Sequence, residues 1–189
     1  SYTVTFDANG GSGTMDYARV LKDDRYTLPR CAFTAPDGKE FAGWKVPGYS
    51  EWCMPDRQIR VDEDMVLTPV WEDEINLWIG NVKVTFENCK DVLGDGTVYY
   101  DTSTKTLKLK EIDGIRGSHQ NALIYACALD LTVTGKATLK PSDGESAEVG
   151  ILVNDGSLIL DLNATAEVSD TAFRARNVTV KTGSILTIN

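Results

Sequence analysis

Apolar and polar residues alternate in short runs along the whole chain, and no stretch carries the period of an amphipathic helix. In the first 74 residues the runs are YTVTF, KEFAGWKV, QIRV and MVLTPVW. The first puts Tyr2, Val4 and Phe6 on one face, and the second puts Phe41 opposite Ala42 and Trp44. The acidic turn Asp62-Glu63-Asp64 separates the last two. Between Met15 and Arg25 lies the stretch with room for a helical turn. The first run leads into the glycines of ANGGSG, which raises the question of a phosphate loop. A dinucleotide fingerprint counted from Gly11 and Gly13 needs its third glycine where Asp16 stands, and no Gly-Lys-Ser or Gly-Lys-Thr occurs. The glycines therefore read as a turn in which Asn9 and Gly10 supply positive φ angles.

The second half changes period. TLKL, ALDL, SLIL and NVTV begin on Leu107, Leu129, Leu158 and Val178 in the leading apolar position, at intervals of 22, 29 and 20 residues. The last three are followed by the echoes KATL, TAEV and SILTI, and the runs ALIYA, GILV and AFRA stand in between. Several short strands per imperfect repeat predict a short parallel β-helix of about four turns, with Leu, Val and Ile stacked inward. Unequal loops such as 141–148 account for the uneven period. TVYYD and TKTLKL predict a hairpin about the turn 101–105, whose apolar face caps the entry of the solenoid. The last run, SILTI, has no capping element after it, so either further rungs or end-to-end association is expected. The chain thus divides into 1–74 and 75–189 at the acidic cluster Glu72-Asp73-Glu74. Ile75, Leu77 and Trp78 follow at once, which predicts a stiff joint with the modules in contact.

YTVTFDANGG, then FAGW, then a strand ending in VW, resembles the Listeria–Bacteroides repeat, the B-repeat type of internalin-like surface proteins, over residues 1 to 72. The resemblance implies a small β-grasp-like module of the kind strung along bacterial cell-surface and secreted proteins. GYSEWCMPDRQ departs from the pattern as an insertion that adds Trp52 and Cys53. LWIGNVKVT with LGDGTVYYDTSTKTLKL is similar, more loosely, to the entry of β-helical modules that accompany such repeats and are often labelled carbohydrate-binding. The two resemblances together imply a mainly β, non-catalytic segment of a secreted or surface-attached bacterial protein. Its role would be adhesion, spacing or ligand binding, with a host or cell-wall glycan or protein as partner and further domains in the same chain. The rival readings are a carbohydrate-binding module and a fragment of a polysaccharide-active enzyme.

Composition narrows these readings. The formal net charge of −9 divides into −6 before and −3 after the boundary, with no basic patch, which argues against nucleic acid. No run approaches a membrane span and no signal peptide opens the chain, so no membrane insertion is expected. Ser1 stands one residue ahead of a strand, which reads as a piece of something longer. Cys31, Cys53, Cys89 and Cys127 lack metal-ligand spacing, and with His119 as the single histidine a zinc site is not expected. Cys31 and Cys53 share a half and are either a disulfide or two thiols. Cys89 and Cys127 read as small buried hydrophobes.

Catalytic constellations are incomplete. His119 in GIRGSHQN has no G-x-S-x-G serine to serve and reads as a solvated loop residue. A calcium loop counted from Asp91 fails at Leu93 and Thr102, where ligands are required. Arg174 and Arg176, with Asp155, Asp161 and Asp170 on neighbouring turns, fit either a lyase-like base and metal site or a solvated outer face. Trp44 and Trp71 read as core, and Trp78 as packing at the junction. Trp52 with Tyr49, in the insertion, is the best exposed pair and reads either as a ring closing over its own small core or as a sugar platform. No cofactor is expected, and the candidate ligand contacts are Tyr49, Trp52, Arg174 and Arg176.

Overall fold

A computed structural model describes residues 1–189, and every regular element in it is a strand. The chain forms two compact units, Ser1–Glu74 and Ile75–Asn189.

The first unit contains β1 (Tyr2–Phe6), β2 (Ala18–Val20), β3 (Arg25–Thr27), β4 (Lys39–Lys45), β5 (Gln58–Arg60) and β6 (Met65–Asp73). Four of them make a mixed sheet in the order β2-β1-β6-β4, with β1 and β6 parallel, and β3 pairs β5 separately. Val4, Leu28, Trp44, Ile59 and Leu67 are sealed in its core. Burying an indole requires a partner for its N–H, and Trp44 Nε1 donates to the Pro29 carbonyl at 2.8 Å. The segment 15–25 holds β2 rather than a helical turn, because Ala18 and Val20 face inward as the edge partners of Val4 and Tyr2. The glycines after β1 do turn the chain, with Asn9 at φ 47° and Gly10 at φ 88°. In β4 the pairing register slips between Phe41 and Gly43. That bulge brings the Phe41 and Trp44 rings edge-on at 5.2 Å, where strict alternation put them on opposite faces.

The second unit is a parallel β-solenoid of about three turns. It opens with β7 (Leu77–Ile79), β8 (Val82–Lys83) and β9 (Val98–Asp101). Rungs follow as β10 (Thr106–Ile115), β11 (Ala122–Cys127), β12 (Leu131–Pro141), β13 (Val149–Asn154), β14 (Ser157–Ala166), β15 (Thr171–Arg174), β16 (Asn177–Val180) and β17 (Ile185–Ile188). The long strands β10, β12 and β14 stack in parallel on one side, and β11, β13 and β15 on the other. Leu-x-Leu alternation sends every second side chain into the space between the two sheets. The resulting columns are Leu107–Val133–Leu160–Val180 and Leu131–Leu158–Val178. Leu131, not Leu129, therefore holds the repeat position above Leu158, and the first column recurs at intervals of 26, 27 and 20 residues.

Each end of the stack has its own treatment. At the entry, β9 pairs antiparallel to β10 across the predicted turn. There the Asp101 carboxylate accepts from Ser103 N at 3.0 Å, Ser103 Oγ at 2.7 Å and Thr104 N at 3.1 Å. The outer edge of β9 is itself bonded, since Tyr100 N donates to the Cys89 carbonyl and Val92 N to the Val98 carbonyl. Val84, Cys89 and Val92 close over the core at that end. At the other end β16 and β17 both rest on β14. Between them Ser184 Oγ accepts from Leu162 N and donates to the Leu160 carbonyl, each at 3.2 Å, which fills the gap in the ladder. Val178, Val180, Ile185 and Ile188 remain exposed.

Candidate ligand-binding surfaces

In the first unit the insertion is pinned before it can present anything. Cys53 and Trp44 exchange both backbone hydrogen bonds, at 2.8 and 2.9 Å, so the segment runs beside β4 as an added bridge. A Cβ at Gly43 would stand 3.0 Å from Trp52 Cβ, so the absence of one lets the two backbones approach. The Cys53 thiol is buried and Cys31 half-buried, and no disulfide joins them. With its neighbour fixed, Trp52 is left 47% exposed.

Tyr49, Trp52 and Trp71 line one cleft of about 470 Å³, together with Asn9, Lys45, Glu51 and Thr68. Arg60 N donates to the Tyr49 hydroxyl at 3.4 Å, and the Arg57 guanidinium lies 5.2 Å from the Tyr49 ring centre. Trp71 Nε1 donates to the Ala8 carbonyl at 3.1 Å. Asn9 Nδ2 donates to the Pro69 carbonyl at 3.0 Å. The structure thus brings together the two aromatic residues singled out from the sequence. It adds Trp71, which is half-buried and shared between core and cleft. Aromatic rings beside amide, hydroxyl and charged groups suit a polar ligand with an apolar face.

The arginines of the second unit have different surroundings. Arg174 Nη2 binds Asp170 at 2.9 Å, Arg176 binds Asp155, and Lys181 Nζ reaches Asp161 at 3.8 Å. All six side chains are solvent-exposed, and each cation has its own carboxylate. Arg174 and Arg176 therefore decorate the outer surface as ion pairs. No group of three or more His, Cys, Asp or Glu side chains is gathered closely enough to hold a metal.

Two features escaped sequence reasoning. His119 stacks on Trp78, with ring centres 4.3 Å apart and planes 3° from parallel, and Tyr125 packs against both. Tyr125 is the cross-strand partner of Trp78, so strand pairing between β7 and β11 assembles this cluster from distant segments. The second is a cleft of about 500 Å³ running across the rungs on the face built by β10, β12, β14 and β17. Its floor is the backbone at Ile112, Ala137 and Ala164, register partners on successive rungs whose side chains turn into the core.

Among titratable groups, burial pushes the Tyr100 hydroxyl up to about 12, with Asp101 and Cys89 adding to the effect. Asp101 is held below the usual carboxylate range, first by the Ser103 hydroxyl and then by backbone donors. The hydrogen bond and charge of Asp113 raise Lys140. Comparison of the chain with protein-family models, curated proteins and solved structures found no match.

Proposed function

We propose that the chain is a non-catalytic adhesion segment of a secreted or surface-attached bacterial protein. In this reading the first unit is a β-grasp-like module of the Listeria–Bacteroides repeat type that holds a glycan, and the second is a rigid solenoid module. The observation that carries the reading is the exposed Trp52 ring, next to the Cys53–Trp44 backbone bridge and sharing one cleft with Tyr49 and Trp71. A rigid aromatic ring loses little conformational freedom on binding, and its face complements the C–H face of a sugar. Polar side chains around the rim suit the hydroxyls. The ion pairs of Arg174 and Arg176 favour a supporting surface over a reacting one, since each guanidinium already faces its own carboxylate.

A glycan array probed with the whole chain and with Trp52→Ala tests this reading. Specific binding that the substitution lowers at least about tenfold is expected, the loss of one stacked aromatic contact. Binding unchanged by Trp52→Ala would reject the cleft as the site. Lyase or hydrolase turnover by the purified chain would reject the non-catalytic role.

A further inference from the structure

We infer that the cleft across the rungs of the second unit is a separate binding groove for an extended, uncharged glycan lying parallel to the solenoid axis. Asp113, Thr138, Thr165 and Thr187 are partners on four successive strands and form one wall. Lys136, Asn163 and Ile185 form the other wall in the same register, with Glu111 beside them at the bulge of β10. Neighbouring strands repeat about every 4.8 Å, so the four rungs give a groove about 14 Å long with a threonine on one wall at three of its four steps. That step is close to the rise of one pyranose ring in an extended polysaccharide. A polymer of sugars can therefore meet a threonine hydroxyl on three successive rings.

The chemistry of the walls selects among polymers. Both carboxylates are already matched: Lys136 Nζ binds Glu111 at 3.3 Å, and Lys140 Nζ binds Asp113 at 3.0 Å. A polyanion or polycation would have to break these pairs to gain a counter-charge, whereas a neutral chain leaves them intact. The groups left for a ligand are uncharged. Thr138, Thr165 and Thr187 offer three hydroxyls at the rung spacing, each able to donate and accept. Asn163 Oδ1 already accepts from Ile185 N at 3.0 Å, so its Nδ2 is the side available to donate. The floor between the walls is the strand backbone at Ala137 and Ala164, whose side chains turn into the core, so no side chain stands between the two rows.

This groove is independent of the Trp52 cleft, and the experiment keeps the two apart. The full chain, its Trp52→Ala variant and the double variant Thr138→Val/Thr165→Val would be run in native gels containing glucomannan, hydroxyethylcellulose or xylan, with polygalacturonate as the charged control. Valine keeps the shape and strand preference of threonine while removing the hydroxyl, and melting curves would verify the fold. Thr165→Lys, which fills the groove, serves as a second route to the same loss. The expected result is retardation by a neutral polymer that persists in Trp52→Ala and changes little with added salt. The double variant should weaken it on the order of tenfold, as for the loss of two hydrogen bonds. No retardation by the neutral polymers, stronger retardation by polygalacturonate, indifference to both threonine variants, or abolition by Trp52→Ala would each overturn the inference.

Discussion

Leu158 and Val178 stand one above the other in the same inward column, yet Leu158 is 0% exposed and Val178 is 43% exposed. Truncating each to alanine tests whether the stack is held by closed layers or by the strand ladder alone. Leu158→Ala opens a void between Leu131 on one side and Val178 on the other. The ladders of β12 and β14 fix both neighbours, so the site has little freedom to collapse, and the loss should be about 3 kcal/mol within the usual range of about 2–5. Val178→Ala removes two methyl groups, each contributing about 0.8 kcal/mol when fully buried. Since almost half of the side chain already meets water, the expected cost is below about 1 kcal/mol. Because the chain has two units, a single unfolding curve would blur the result. Hydrogen exchange read by mass spectrometry in increasing urea, on peptides within 122–166, isolates the solenoid. Equal losses for the two variants, or a loss below about 1 kcal/mol for Leu158→Ala, would refute the layered core.

Two further substitutions probe the backbone and the entry cap. Gly135 has φ 108°, and a Cβ there would sit 1.9 Å from the Leu109 carbonyl oxygen, so Gly135→Ala should cost at least about 2 kcal/mol in the same exchange experiment. Stability within about 0.5 kcal/mol of the parent would show that the rungs can shift past each other at this point. Tyr100 is raised from 10.0 to about 12 in the fold, so the folded chain holds this proton more tightly than the unfolded one. Its contribution, on the order of 2–3 kcal/mol at most, is complete below pH 10 and fades as pH rises towards about 12. Urea unfolding at neutral pH and at about pH 11 should reveal that slope, and Tyr100→Phe should flatten it. An identical slope in the phenylalanine variant would place the alkaline sensitivity elsewhere.

The alternation of apolar residues revealed the strand content and the solenoid, because an inward Leu stack needs a two-residue period whatever its neighbours are. Phase was harder to read. ALDL offers Leu129 and Leu131 with equal claim, and only pairing with Leu158 selects Leu131. TVTG and KATL look like two strands broken at a glycine, yet Gly135 lets β12 run through as one strand. The cleft pair Tyr49 and Trp52 was legible because an unusual insertion drew attention to its aromatics. The contribution of Trp71 was not, since its half-buried state depends on the turn at Ala8 and Gly11 and on the Phe41 ring, which come from other parts of the chain. His119 meeting Trp78 and the groove across the rungs arise from register between segments far apart in sequence. No local pattern encodes either of them.

Within residues 75–189 taken alone, closure of the solenoid at its entry, with Val178, Val180, Ile185 and Ile188 exposed at the other end, gives the stack a direction. Each rung touches only its neighbours, so opening need not be cooperative over the whole stack. β16 and β17 can peel from β14 at the expense of one ladder, while β10 is held between β9 and β12. Exchange with solvent should therefore climb rung by rung towards β16 and β17, and a pull applied at that end would unzip the chain in steps. The groove spans this gradient. A bound polymer would grip the firm first rung and the loose last one together, acting as a clasp that makes the steps rise and fall as one.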